Sequence, residues 1–154
     1  MRLFHNLFCR DIERQLRFYG ELLGLPEAVH ARSPIYRAIE APGFQFGFHA
    51  SAAYSLLGLD DRRPPVDGLT TVTGYPTFML DAHGAVSAGA ARCAGLGGRV
   101  IKPPYGTYYG EWQAVLADPE GHAFRLSCSQ LPDGMRRPAL PSAVSGLSSP
   151  AGPV

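Results

Sequence analysis

No run of apolar residues in this chain approaches the roughly 20 that a membrane-spanning helix needs. The opening Met1-Arg2-Leu3-Phe4-His5 enters strand-like sequence without the charged and apolar regions of a signal peptide, so a cytoplasmic location and no membrane partner are expected. Charge is sparse and balanced. Lys and Arg number 14 against 13 Asp and Glu, a formal +1, and charged residues make up 18%. No basic stripe stands out, which argues against a nucleic-acid partner, because binding a phosphate backbone needs clustered Lys and Arg. Cysteine is scarcer still: Cys9, Cys93 and Cys128 are an odd number without CxxC spacing. They read as reduced, buried thiols, with a disulfide the weaker alternative. What remains is an ordinary globular mix, 45% apolar over 154 residues, sufficient for one domain with a sizeable core.

Two stretches repeat one another. His5-Asn6-Leu7-Phe8 leads through Asp11 to Phe18-Tyr19 and Leu23-Gly24-Leu25-Pro26. Thr77-Phe78-Met79-Leu80 leads through Ala85 to Cys93 and Leu96-Gly97-Gly98-Arg99-Val100. Each reads as strand, polar turn, helix, glycine stop, strand. In the first, Asp11 can cap a helix whose Ile12, Leu16, Tyr19, Leu22 and Leu23 share one face, with Gly24 and Pro26 as its stop. Strands follow at 35–40 and 44–49 around the Ala41-Pro42-Gly43 turn, with a weak strand at 28–31. The second module has a strand at 75–82, a helix at 84–95 and strands at 99–102 and 112–117. The Asp118-Pro119-Glu120-Gly121 turn and a strand at 122–127 close it. The expected organisation is a domain over 1–129, with modules at about 1–52 and 74–129 and a linker at 53–73. The Pro/Ser/Gly-rich tail, 130–154, is expected to be disordered.

The doubled βαβββ order, the helix end Phe18-Tyr19…Leu22-Leu23-Gly24-Leu25 and the closing Val115-Leu116-Ala117-Asp118-Pro119-Glu120-Gly121-His122-Ala123-Phe124-Arg125-Leu126 resemble the vicinal oxygen chelate superfamily. That superfamily includes glyoxalase I, bleomycin- and fosfomycin-resistance proteins and extradiol dioxygenases. The resemblance covers about residues 2–129. It implies an α+β fold in which two tandem βαβββ modules form an open barrel-like cup. It also implies a homodimer, since many members form clefts across chains.

Metal-dependent members place His and Glu on the first and last strands of each module. Carried over residue by residue, those positions fall on His5, Gly47, Thr77 and Arg125, with Gln45 and His49 on the Gly47 face by alternation. Thr is a poor ligand and Arg repels a cation. The resemblance therefore implies a cup without metal or other cofactor. The alternative is a divalent metal on His5, Gln45 and His49.

Alternation turns Ala123, Arg125 and Ser127 away from Phe124 and Leu126, which pack under the helices. An unpaired buried guanidinium is costly, so Arg125 needs a partner. Glu40 or Glu111 can supply it from within the chain, and so can an anionic group on a ligand. Tyr105, Tyr108, Tyr109 and Trp112 crowd a Gly/Pro-rich loop and offer flat walls, as does Tyr36 on the facing strand; Trp112 reads as core. The same rings can instead cover the barrel edge or a dimer interface.

The ligand-binding candidates are His5, Tyr36, Gln45, Thr77, Tyr105, Tyr108, Tyr109 and Arg125. They point first to a glyoxalase/bleomycin-resistance-like protein that holds a small, flat, neutral or anionic organic molecule. A second reading is an enzyme: a metal-dependent lyase, isomerase or dioxygenase, or a metal-free catalyst with His5 as acid–base group and Arg125 stabilising an oxyanion. A third is an interaction protein with an empty cup. The scaffold does not choose among them.

Overall fold

Asp11 starts the first helix by accepting a hydrogen bond from the Arg14 N–H at 2.9 Å, an N-cap. Gly24 ends it in the left-handed region at φ 66°, where glycine carries no Cβ penalty. Between them, helix α1 (Ile12–Leu23) buries Ile12, Phe18, Tyr19 and Leu22 on one face. A computed structural model describes the chain over residues 3–65 and 71–139.

The first module builds a sheet from β1 (Leu3–Cys9), β2 (Tyr36–Ala41) and β3 (Phe44–Ala50) in the order β1-β3-β2. The second builds one from β4 (Thr77–Met79), β5 (Arg99–Gly106), β6 (Trp112–Ala117) and β7 (Ala123–Cys128) in the order β4-β7-β6-β5. In both, the first strand lies parallel to the last and the others run antiparallel. Helices α2 (Ala52–Leu56) and α3 (His83–Gly95) complete the described elements of regular helix. No helix among the described residues is long and apolar enough to cross a membrane.

One aromatic side chain joins the two modules in a common core. The fully buried Tyr19 ring lies 4.8 Å from Phe46 and 5.4 Å from Phe48 in the first sheet. It lies 6.0 Å from Phe78 and 5.3 Å from Phe124 in the second. The helices therefore cover the face of each sheet that carries Phe46, Phe48, Phe124 and Leu126, and leave the opposite faces open.

The turn between β6 and β7 ties the modules together by polar contacts. Glu120 accepts hydrogen bonds from the Arg10 and Asp11 N–H groups at 2.8 Å each, at the entrance to α1. Buried Asp118 accepts from the Tyr19 hydroxyl at 3.1 Å, and its second contact is His122 Nδ1 at 2.9 Å. Burial opposes a charge on His122. The hydrogen bond and charge of Asp118, the charge of Glu120 and a bond to the Phe8 backbone outweigh it, so the pKa is raised. The His122 side chain is mostly buried at this junction.

Several boundaries differ from the sequence expectations. The first module has three strands; at 28–31 the chain makes a 3-10 turn (Val29–Ala31) beside a single Glu27–Ile39 bridge. β4 is three residues long where the sequence suggests 75–82. β5 runs on through Pro103 and Pro104 to Gly106, which an edge strand with register shifts tolerates. The aromatic loop is shortened accordingly. α2 and a 3-10 turn at Asp60–Arg62 occupy part of the expected linker, of which 66–70 lie outside the described residues. Of the tail, Met135 and Leu131 lie against Gly106 and Arg137 against Gly110, while 140–154 lie outside the described residues. The three cysteines are free and buried.

Gly47 stands in mid-strand because the Tyr36 phenol crosses it: a Cβ there would sit 2.2 Å from both the Tyr36 oxygen and Asn6 Oδ1. Gly47→Ala should therefore lower stability by about 1–3 kcal/mol in urea unfolding, the usual cost of overpacking. An unchanged midpoint would contradict this crossing. The raised His122 pKa makes a second prediction. A raised pKa stabilises fully below the unfolded value, about 6.5, and that contribution is lost as pH climbs through the folded value. The stability gap between wild type and His122→Gln should shrink as the pH rises above about 6.5. A gap that widens would contradict a charged His122 at this junction.

Candidate functional site

Residues paired across neighbouring strands share a face. In the second module Thr77 pairs with Arg125, Arg125 with Val115, and Ser127 with Gln113. Since Phe78, Phe124 and Leu126 point to the core, these residues lie on the face turned away from the helices, where Gln113 and Ser127 are buried and Arg125 is half-buried. There the Arg125 guanidinium is held by three neutral groups. Nε donates to Thr77 Oγ1 at 3.0 Å, and Nη1 donates to Gln113 Oε1 at 3.2 Å and the Tyr109 oxygen at 3.3 Å. The Tyr109 hydroxyl in turn donates to Gln113 Oε1 at 2.8 Å, and Gln113 Nε2 donates to the Tyr105 oxygen. The Tyr75 ring lies 5.1 Å from the guanidinium carbon.

Neither expected internal partner reaches Arg125. Glu111 accepts from the Ser127 hydroxyl at 2.6 Å, and Glu40 lies 3.5 Å from His30. Among the described residues no carboxylate comes within ion-pair distance of Arg125, and its Nη2 group has no hydrogen-bond partner. The network holds the half-buried cation with neutral acceptors and leaves Nη2 donors without a protein partner among the described residues, a geometry suited to a carboxylate or phosphate oxygen.

The first module's open face carries a second, uncharged cluster. The Tyr36 hydroxyl lies 3.1 Å from both Asn6 Oδ1 and Gln45 Oε1, and burial raises its pKa. His49 follows on the same face, its ring centre 4.7 Å from Tyr36 and 5.7 Å from Phe8. Its Nδ1 is buried without a partner among the described residues, and burial lowers its pKa.

His5 is not on that face. It pairs with Phe46, stacks on that ring at 5.5 Å and has its pKa lowered by burial. The position beside Gly47, equivalent to Thr77 beside Arg125, belongs to Asn6. A one-residue slip exchanges the faces of a strand, and that slip separates the expected placement of His5 from the observed one. His5 lines a cleft of about 640 Å³ between the modules, whose walls include Leu3, Phe46, Tyr75, Thr77 and Leu80. Gln45 also reaches this cleft.

The expected site residues therefore separate into groups. Thr77, Tyr105, Tyr109 and Arg125 are joined by hydrogen bonds; Tyr36 and Gln45 form the neutral cluster; His5 faces the core side. Tyr108 is exposed and touches the Tyr109 ring edge-on at 5.0 Å. Trp112 packs at the core and donates to Ser87 Oγ at 3.0 Å. Sequence reasoning missed Asn6, Tyr75 and Gln113. Gln113 was within reach: the tight 118–121 turn opposes Ala117 to Ala123, which fixes Gln113 opposite Ser127.

A divalent metal does not fit these positions. Gly47 has no donor, Thr77 already accepts from Arg125, and Arg125 is itself a cation. Of the alternative set, His5 and Gln45 line one cleft, but His49 lies four residues from Gln45 along β3 and does not line it, so the three donors do not converge. No cluster of three or more His, Cys, Asp or Glu occurs among the described residues.

Residues 3–127 match the family model of the glyoxalase-like domain. Among solved structures, a glyoxalase/bleomycin resistance protein/dioxygenase family enzyme from Burkholderia phytofirmans PsJN is similar at 34% identity and TM-score 0.74, over 82% of this chain and 96% of that one. A glyoxalase-related enzyme from Fulvimarina pelagi is 22% identical with TM-score 0.64, over 83% of this chain and 87% of that one. A lactoylglutathione lyase from Agrobacterium tumefaciens shares the fold at 17% identity and TM-score 0.58, over 83% of this chain and 92% of that one. No curated protein sequence matches the chain. With its duplicated modules and open-faced sheets, the chain belongs to the glyoxalase-like domain family, within the vicinal oxygen chelate superfamily.

Proposed function

We propose that this protein binds a small organic anion on the open face of its second module, with Arg125 as the anchor and without a metal. The observation that carries the reading is the guanidinium held by Thr77, Gln113 and Tyr109 alone. An arginine oriented by neutral groups keeps its full charge for a ligand, whereas one locked to a carboxylate does not. Tyr75, Tyr105 and Tyr109 give flat, polar-edged surfaces beside it, suited to an aromatic or otherwise planar body. The acid–base alternative has less support, because His5 shares no hydrogen bond with the Arg125 network and packs on Phe46. Exposed Leu3, Phe4, Tyr75 and Met79 on or beside the edge strands β1 and β4 support a homodimer that covers this apolar surface.

Benzoate is a suitable first probe in isothermal titration. Arg125→Gln should weaken its binding by about 10-fold to 100-fold, the worth of a charge-assisted hydrogen bond, while the variant stays folded. Prior treatment with a chelator should leave wild-type binding unchanged. Equal affinity in the folded variant, absence of benzoate binding by wild type, or loss of binding on metal removal would each overturn the reading.

A further inference from the structure

A second cation stands in register with Arg125. Across the second sheet, Lys102 of β5 pairs with Val115 of β6, Val115 with Arg125 of β7, and Arg125 with Thr77 of β4. Paired residues share a face, so Lys102 and Arg125 stand on the same side of the sheet with Val115 between their backbones. Neighbouring strands are about 4.8 Å apart, which puts the two backbones about 10 Å from each other. Their charged ends are linked through Tyr105 and Gln113.

Lys102 is held much as Arg125 is, by groups without charge. Its ammonium lies 3.5 Å from the centre of the Tyr105 ring, a cation–π contact. The Tyr105 oxygen accepts from Gln113, whose other amide atom accepts from Arg125, so one hydrogen-bonded chain orients both cations. Among the described residues neither is within ion-pair distance of a carboxylate. β5 shifts register on both sides of Lys102, between Val100 and Lys102 and between Lys102 and Tyr105. Such bulges re-aim side chains and concentrate near functional sites. Glu111, which reaches this face through Ser127, lies one row away and disfavours an anion there. The favourable place for negative charge is above Val115.

We infer that the Lys102–Val115–Arg125 row selects a ligand with two acidic groups, one on each cation, joined by a short planar or aliphatic body lying over Val115. This rests on the Arg125 reading and narrows its ligand to a dicarboxylate, or a carboxylate that also bears a phosphate.

The test compares isophthalate with benzoate by isothermal titration, since both carry the same ring and differ by one carboxylate. Wild type should bind isophthalate about 5-fold more tightly, the upper end for one added exposed ion pair. Lys102→Gln should bring the ratio of the two affinities to about one, and Lys102→Arg should retain most of the preference. Equal wild-type affinities, or a preference that survives Lys102→Gln, would overturn the two-anion inference and leave the Arg125 site standing if Arg125→Gln still weakens benzoate binding. Failure of both ligands to bind wild type would overturn both.

Discussion

Each module is organised by the parallel pairing of its first strand against its last. That pairing decides which residues meet, because alternation gives every position a fixed face once the register is set. In the second module it places Thr77 beside Arg125; in the first it places Asn6 beside Gly47. Phe46, Phe48, Phe124 and Leu126 hold the register by burying one face under the helices. The opposite faces are then free to carry polar groups that a core would not accept. The duplication supplies equivalent positions, and the chain fills them differently. One face presents amide, phenol and imidazole groups with Glu40 beside Gln45, and the other presents fixed cations. The site's asymmetry thus comes from substitution within a symmetric frame.

The modules hold together through the turn at 118–122, which acts on the chain some hundred residues earlier. Its carboxylates serve two different needs. Glu120 satisfies N–H groups at the entrance to α1, where a helix leaves donors unpaired and favours negative charge. Asp118 is buried, so its charge must be matched by hydrogen bonds, and Tyr19, His122 and the turn's own N–H groups provide them. Tyr19 is therefore both the hydrophobic centre shared by two sheets and the donor that satisfies this buried acid. The open faces keep their relative places because this junction is fixed.

Where the local sequence alternates clearly, the structure was legible in advance. Ala123, Arg125 and Ser127 differ so plainly from Phe124 and Leu126 that their faces follow from the sequence. The Asp11 cap, the Gly24 stop and the Asp118–Gly121 turn were legible for the same local reason. β1 gives no such signal. Leu3 and Leu7 are apolar, but so are Phe4 and Phe8, and only pairing with β3 shows that His5 shares the core face and Asn6 the open one. Lys102 and Gln113 also belong to the site by cross-strand register rather than by any motif. The prolines in β5 suggest a loop, yet on an edge strand their missing N–H groups cost little. His122 takes its role mainly from Asp118, four residues away, whose burial under Tyr19 no local pattern reveals.

The central claim is that Arg125, oriented by neutral partners, is the anion anchor of this fold. A crystal structure of the protein with bound benzoate tests it most directly. A carboxylate oxygen is expected about 3 Å from Arg125 Nη2, with the ring beside Tyr75 or Tyr109. A benzoate lodged instead in the cleft beside His5, or on the Asn6–Tyr36–Gln45 face with Arg125 left unbound, would contradict it.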